Sequence, residues 1–361
     1  MSKTYVSKER IDHIVIRAPN WVGDSVMCTP ALMDVREYFT NATIVLWARP
    51  AIAEMLQDHP ALDRVLVYDD HGEHAGFGGK LRFIRELRSF HFQLAILFQN
   101  AFEAAFLTRL AGIPHRWGYA TDGRRVLLSK PIAVSHGKRG THQVHYYQNL
   151  VEQAVGRSSV RNLHLQVSAK DEMDVDERFP ELVSRRHEYI VGLNPGAMYG
   201  SSKRWLPERF AELADRLMAQ LPRAGRHDAT VKCIIVGGAH EEKLAHTIAS
   251  LMKVRPTVLS GQTTLRELMV LIKRCALFVT NDTGPMHIAA ALDVPLVAIF
   301  GSTDPRHTSP FGMDDAVVSQ PVRCSPCFLR SCPIDHRCMT QVSVEQALDM
   351  AMQQVRATVM S

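Results

Sequence analysis

Thr280-Asn281-Asp282-Thr283-Gly284-Pro285-Met286-His287 joins two apolar runs. The run before it, Cys275 to Val279, has the length and unbroken apolarity of a strand buried on both faces. The run after it, Ile288 to Leu292, reads as the start of a helix. The polar tetrad Asn-Asp-Thr-Gly therefore sits at a strand-to-helix corner. There an α/β protein presents free backbone N–H groups and the positive end of a helix dipole, a natural seat for phosphate. Pro285 suits the first helical position, where its missing N–H costs nothing. His287, in the first turn, reaches the same anion.

The same alternation extends along the chain. In the first half, strands are expected at Ile11–Arg17, Thr43–Trp47, Arg64–Tyr68 and Gln93–Phe98. Helices are expected near Val26–Phe39, Ala51–Asp58, Lys80–Phe90 and Ala101–Gly112. In the second half, strands are expected at Tyr189–Asn194, Lys232–Val236, Thr257–Leu259, Ala276–Thr280 and Leu296–Phe300. The helices between them fall near Pro207–Gln220, Glu241–Lys253, Leu265–Arg274 and Met286–Leu292. This pattern predicts an α/β chain with two Rossmann-like, doubly wound parallel-sheet domains facing across a cleft. Residues 1–170 form the first domain and 189–342 the second. The charged stretch Ser168 to Glu188 reads as the linker, centred on 171–188. A final helix, Val344 to Thr358 within 343–361, has no strand after it and is expected to pack back on the first domain. Gly76–Gly79 reads as a flexible loop.

Composition narrows the function classes. The chain has 361 residues, 46% of them hydrophobic and 22% charged, as in an ordinary globular protein. No run of about 18 apolar residues occurs, because Asp293 and Pro295 interrupt the richest stretch, Ala289 to Phe300. The polar start, Met1 to Arg10, lacks a signal core, so a cytoplasmic protein is expected. Net charge is +5, and the basicity concentrates between Lys80 and Arg139. Lys80, Arg82, Arg85, Arg88, Arg109, Arg116, Arg124, Arg125, Lys130, Lys138 and Arg139 face only Glu86, Glu103 and Asp122 there. That segment is either a solvated basic face or a surface for a polyanion such as anionic lipid. Phe90, Phe92 and Phe98 fit core strands better than a base-stacking platform, so no nucleic-acid partner is expected.

Cysteine use is uneven. Cys28, Cys233 and Cys275 lie in apolar contexts and read as small core residues. Cys324, Cys327, Cys332 and Cys338 cluster, but without a paired Cys-x2-Cys repeat. They fit a structural zinc site or a loop of reduced, packed thiols.

Ligands of doubly wound sheets bind outside the carboxyl ends of the strands. The first such corner is Ala18-Pro19-Asn20-Trp21-Val22-Gly23-Asp24-Ser25. Gly23 permits a tight turn and close ligand approach. Asp24 is either a helix N-cap or a general base facing the cleft. Pro30 falls inside the second turn if the helix begins at Ser25. The second domain opens with Asn194-Pro195-Gly196-Ala197, followed by Lys203-Arg204-Trp205. Its small residues let amides approach phosphate, and Lys203 supplies a charge. Glu241 and Glu242 follow Gly237-Gly238 and suit either a ribose diol or the helix dipole. The absence of a G-x-G-x-x-G fingerprint and of a P-loop weakens a dinucleotide or P-loop reading, while three corners in one domain, with their amides, Lys203 and His287, suggest a nucleotide diphosphate.

On Trp21-Val22-Gly23-Asp24, Asn194-Pro195-Gly196-Ala197 with Lys203-Arg204-Trp205, and Asn281-Asp282-Thr283-Gly284 with Met286-His287, the chain resembles a known family. It is similar to the ADP-heptose:lipopolysaccharide heptosyltransferases of glycosyltransferase family 9, most of all to the heptosyltransferase II type. The Cys324 to Cys338 segment is also similar to many members. The resemblance covers nearly the whole length and implies a GT-B fold. It implies an inverting transferase without metal or cofactor, using ADP-L-glycero-β-D-manno-heptose as donor. By position, Asp24 resembles the catalytic base, Lys203 the diphosphate lysine and Asp282 the carboxylate that holds the heptose. Thr283, Gly284 and His287, with Gly196 and Ala197, resemble the donor cradle, and Glu241 or Glu242 the ribose contact. Asn20, Trp21, Gly23, His142 and Tyr146 resemble acceptor-side residues. Pro285 departs from the apolar residue common at that place.

The implied acceptor is the lipopolysaccharide inner core, lipid A-Kdo-heptose, reached at the cytoplasmic face of the inner membrane through the basic segment. The rival expectations are heptosyltransferase I or III, another nucleotide-sugar transferase of this fold, a nucleotide-sugar epimerase, and a non-catalytic binding module.

Overall fold

In the computed structural model of the chain, the described residues are 11–134, 141–156, 158–159, 161–183, 188–225 and 230–359. The chain divides into two compact units, residues 1–166 and 167–361. The first unit holds β1 (His13–Arg17), β2 (Thr43–Ala48), β3 (Arg64–Val67), β4 (Leu94–Leu97), β5 (His115–Tyr119) and β6 (Lys130–Ile132). The second holds β7 (Glu188–Asn194), β8 (Thr230–Ile235), β9 (Thr257–Val258), β10 (Cys275–Asn281), β11 (Leu296–Phe300) and β12 (Val317–Ser319).

Every pairing is parallel. The first sheet runs β3-β2-β1-β4-β5-β6 and the second β12-β11-β10-β7-β8-β9. Counted from the first strand of each unit, the two orders are the same. In both, the sheet grows outward from its first strand in one direction and then in the other. The crevice at that reversal lies outside the carboxyl ends of β1 and β4 in one unit, and of β7 and β10 in the other.

The central strands are buried because helices cover both faces. Ile14, Val15, Ile16, Leu277, Phe278 and Val279 have no exposed surface. In the second unit the helix Pro207–Gly225 lays Phe210, Leu213 and Leu217 against Val191, Leu193 and Ile235. Gly192 has no room for a side chain: a Cβ there would lie 2.6 Å from the Phe278 ring. Trp205, fully buried, fastens the loop after β7 by donating Nε1–H to the Val342 carbonyl.

Several expectations need correction. The helix expected over Val26–Phe39 is two, Val22–Met27 and Thr29–Tyr38, broken at Cys28. Pro30 causes the break and occupies the first turn of the second helix, where its missing N–H is harmless. Asp24 is therefore no N-cap: Trp21 holds that place and Asp24 lies in the first turn. Gly76–Gly79 is not a loop but the opening of the helix Gly76–Ser89. β5, β6 and β12 went unrecognised in the sequence. β5 carries Arg116 among its residues, and β6 and β12 are three-residue edge strands, one of them holding Pro131.

The charged stretch expected to be a linker is structured in its described part. It holds the helix Ala169–Arg178, whose Ser168 and Asp171 form a reciprocal capping box. This helix is bound to the helix Leu265–Lys273 by ion pairs. Lys273 reaches Glu172 at 2.7 Å, and the Arg266 guanidinium grips Asp171. The final helix, Val344–Val359, packs on Pro207–Gly225 and on β10 to β12 of the second unit. Ala347, Leu348 and Ala351 belong to that unit's core. Among the described residues no helix is long and apolar enough to cross a membrane.

Asp171 gives a pH test of the reassigned helix. Burial raises its pKa, but hydrogen bonds from Arg266 and Ser168 outweigh that and bring it from 3.8 to about 2. A depressed carboxylate stabilises the fold above its unfolded pKa and loses that contribution as pH falls through the folded one. Urea midpoints should therefore decline between about pH 4 and about pH 2, and Asp171→Asn should flatten part of that decline. An Asp171→Asn profile parallel to wild type would show that the pair does not hold the helix.

Candidate active site

At the carboxyl end of the first sheet a polar network runs between the corners after β1 and β4. Arg17, the last residue of β1, is buried and donates only to neutral oxygens among the described residues. It donates to Gln99 Oε1 at 2.9 Å, to the Trp47 carbonyl at 3.2 Å and to Asn20 Oδ1 at 2.7 Å. Burial, then the charge of Arg49, lowers its pKa to about 10, so it remains a cation at neutral pH. Arg124, also fully buried, donates to the Gln99 and Tyr119 carbonyls and to Asn100 Oδ1. Asn100 passes the chain on by donating to the Tyr146 hydroxyl at 2.8 Å. Two fixed guanidinium charges thus sit behind Asn20 and Tyr146, and favour negative charge at this edge.

Asp24 lies half-buried beside this network. The Tyr147 hydroxyl donates to Asp24 Oδ1 at 3.2 Å. Tyr147 is buried, and that burial, followed by the charge of Asp24, holds its pKa far above the ordinary value. Tyr147 is therefore a permanent donor that orients one carboxylate oxygen. The same two causes raise Cys28, which stays a thiol. Tyr147 and Asp24 are 123 residues apart, and nothing local to either marks the pair in the sequence. Of the expected acceptor-side residues, Asn20 and Tyr146 join the network directly. Trp21 is exposed at the helix N-terminus, with Gly23 half-buried in the first turn. His142 caps the helix Gln143–Val155 by accepting from the Val144 amide at 3.2 Å.

In the second unit the reversal point is furnished by the corners after β7 and β10. Asn194 donates to Thr280 Oγ1 at 3.0 Å and to Thr283 Oγ1 at 2.8 Å. Asn281 donates to the Pro195 carbonyl at 2.8 Å and accepts from the Trp205 amide at 3.1 Å. These bonds bind the two corners into one frame. On it Lys203 Nζ meets Asp282 Oδ2 at 2.6 Å, and Thr303 Oγ1 donates to the same oxygen at 2.6 Å. The helix Gly284–Ala291 starts here, with Thr283 at its N-cap. Pro285 takes its second position rather than its first, and brings no N–H. Met286 turns its amide back on the Thr283 carbonyl, so Gly284 supplies the amide at the mouth. His287 is buried in the first turn.

The two candidate ribose carboxylates separate. Glu241 is buried and accepts from the Gly238 amide at 2.9 Å, whereas Glu242 is exposed beside His246. A Cβ on Gly196 would lie 1.9 Å from Glu241 Oε1, so glycine is what lets this carboxylate in. Ala197 is buried next to it. Asn194, Asn281 and Thr303 complete the frame. The first two stood in the quoted corners without an assigned role, and Thr303 follows β11 with no local mark.

The cysteine segment forms the outer support of the Lys203 loop. The Ser202 amide donates to the Arg330 carbonyl at 3.1 Å, and His336 Nε2 lies 2.9 Å from the Ser202 carbonyl. Tyr199 donates to the Phe328 carbonyl at 2.5 Å, and Lys203 lies over the Tyr199 ring. The seven cysteines are free, with Cys28, Cys233, Cys275 and Cys338 buried. Among the described residues, the three potential metal-ligand atoms that approach one another within 4.8 Å belong to Glu73, His74 and Glu86, not to the cysteines. His74 there accepts from the Asp69 amide and closes a turn.

The basic segment is less a surface than its composition suggested. Arg116 and Arg124 are buried on backbone carbonyls, and Lys130 caps the Ala154 carbonyl. Lys138 and Arg139 lie outside the described residues.

Comparison with known proteins gives the family. The profile of glycosyltransferase family 9 (heptosyltransferase) matches residues 80–337. The chain is 28% identical to a lipooligosaccharide heptosyltransferase 2 of Campylobacter jejuni, over 94% of this chain and 97% of that protein. It is also 28% identical to lipopolysaccharide heptosyltransferase 2 of Escherichia coli K12, over 84% and 87%. In fold it is similar to the E. coli ADP-heptose LPS heptosyltransferase II structure, with a TM-score of 0.79 at 23% identity, covering 96% of this chain and 99% of that one. A family 9 glycosyl transferase of Veillonella parvula gives a TM-score of 0.84 at 22% identity, covering 96% and 98%. With two parallel sheets of this order and a family profile that matches more than half of its length, the chain belongs to glycosyltransferase family 9, the heptosyltransferases.

Proposed function

We propose that this glycosyltransferase moves L-glycero-D-manno-heptose from ADP-heptose to the inner core of lipopolysaccharide, in the manner of a heptosyltransferase II. The observation that carries this reading is the frame at β7 and β10, where Lys203, Asp282, Thr283 and the Gly284 amide converge beside Glu241. The relatives at 28% identity carry the heptosyltransferase 2 name, which supports the choice of acceptor.

The second unit holds the donor. The Gly284 amide and Lys203 bind the pyrophosphate, Asp282 binds heptose hydroxyls, and Glu241, rather than Glu242, accepts from the adenosine ribose. Lys203 pairs with Asp282, so each group holds the other in place, and phosphate would take a share of the ammonium. The first unit supplies the base. An acceptor hydroxyl attacks the anomeric carbon in a single displacement that inverts its configuration. Asp24 takes the hydroxyl proton while the bond between the anomeric carbon and the phosphate oxygen breaks. ADP leaves with the bonding pair, and Lys203 with the helix-terminal amide stabilises the growing charge. The guanidinium groups of Arg17 and Arg124 favour an acceptor that carries phosphate.

Mass spectrometry of purified protein with ADP-heptose and a panel of heptose-deficient glycolipids tests the reading. Heptose addition only to the acceptor already bearing one heptose is expected. Addition to the heptose-free acceptor would assign the chain to another branch of the family, and donor turnover without acceptor would make it an epimerase.

Asp24→Asn should lower kcat by about 10²–10⁴, the usual contribution of a positioned base, with ADP binding intact. Unchanged turnover would remove Asp24 from the chemistry. Lys203→Ala should weaken ADP-heptose binding by roughly 10- to 150-fold, the worth of a charge-assisted hydrogen bond, and calorimetry reads this directly. Equal affinity would empty the proposed cradle. Tyr147→Phe removes a donor that favours the ionised carboxylate, so the acid limb of the kcat/KM profile should move to higher pH. A uniform loss at every pH would reduce Tyr147 to a packing residue.

A further inference from the structure

The helices Gly76–Ser89 and Phe102–Leu110 lie side by side and run the same way. Lys80 bridges to Glu103 at 2.6 Å near their starts, and Arg88 donates to the Leu110 carbonyl at 2.7 Å near their ends. Each buries one face in the first unit's core, with Phe83, Ile84 and Leu87 on one helix and Ala104, Ala105 and Leu107 on the other. The opposite faces mix cations with large apolar side chains. Phe77, 80% exposed, precedes exposed Leu81 by one turn. Phe102 and Phe106, 47% and 42% exposed, stand one turn apart with their rings 6.0 Å from centroid to centroid, and exposed Leu110 follows. The turn Arg124–Leu127, packed on the second helix, holds out Val126 at 81% exposure.

Large apolar side chains grouped in this way are costly on a free surface and mark an interaction site. Their flanks carry the exposed cations of the basic segment. Arg85, Arg109 and Arg125 have no ion-pair partner among the described residues. An apolar stripe bordered by unpaired guanidinium groups complements a layer of phosphate headgroups over acyl chains.

We infer that this face docks the enzyme on an anionic lipid bilayer, with Phe77, Phe102, Phe106 and Val126 entering the headgroup boundary and Arg85, Arg109 and Arg125 at the phosphates. The inference deepens the reading of the acceptor as a membrane lipid and rests on it. It assigns to the surface four aromatic and aliphatic side chains that the charge count alone did not reveal. It also withdraws Arg116, Arg124 and Lys130 from that surface.

The test is flotation of the full chain with vesicles of phosphatidylcholine alone and of phosphatidylcholine with phosphatidylglycerol. Wild type should float with the anionic vesicles and release as salt rises. The triple variant F77S/F102S/F106S should lose about tenfold or more of that binding, and R85Q/R109Q/R125Q should lose the preference for anionic lipid. Both should keep wild-type kcat on a water-soluble acceptor oligosaccharide and lose rate only on acceptor embedded in vesicles. Variants that float like wild type, or a wild type that ignores vesicles, would overturn the inference. So would a shift from dimer to monomer in the phenylalanine variant, since the face would then bind a second copy of the chain. Failure of wild type on both acceptors would instead strike the reading of the activity, because flotation reads the surface without any reaction.

Discussion

A parallel sheet that grows from its first strand in both directions leaves a gap at the point of reversal, outside the carboxyl ends of two neighbouring strands. Both sheets of this protein do so with the same strand order. The backbone amides and helix N-termini that follow those strands face the gap and have no partners within their own helices. Everything chemical in the chain is arranged around this constraint. The corners after β7 and β10 are bound together by Asn194 and Asn281, which spend their amides on the opposite corner. The corners after β1 and β4 are bound by Arg17 and Arg124 acting on Gln99 and Asn100.

The two frames differ in their electrostatics. In the second unit the cation is paired: Lys203 rests on Asp282, which Thr303 also holds, so the charges are placed without an unbalanced field. In the first unit two guanidinium groups are buried on neutral oxygens, with no carboxylate hydrogen-bonded to either among the described residues. Burying a cation without a carboxylate in hydrogen-bond contact costs stability, and such a cost is retained where the field has a use. Here the field lies behind Asp24, Asn20 and Tyr146, and it favours negative charge at that edge. Tyr147 works in the opposite sense on a single oxygen, fixing the direction of Asp24 rather than the charge around it.

The central strands were plain in the sequence because burial on both faces demands continuous apolar residues, as at Ile14–Ile16 and Leu277–Val279. The corners were plain because tight turns at strand ends need small residues, as at Gly196 and Gly284. What escaped was set by distant partners. β5 hid behind Arg116, whose charge is absorbed by backbone carbonyls rather than by solvent. The helix Ala169–Arg178 looked like a linker because only Val175 among its residues is buried, and ion pairs to another helix hold it. Glu241 and Glu242 were indistinguishable until the empty space at Gly196 showed which carboxylate enters. The Tyr147–Asp24 bond spans 123 residues and leaves no local pattern at all.

The central claim is that the second sheet's reversal point is a pyrophosphate seat. A crystal structure of the protein with ADP tests it most directly. The account predicts the diphosphate within hydrogen-bond distance of the Gly284 amide and Lys203 Nζ, with the ribose at Glu241. A nucleotide bound away from the ends of β7 and β10, with Lys203 still closed on Asp282, would contradict it.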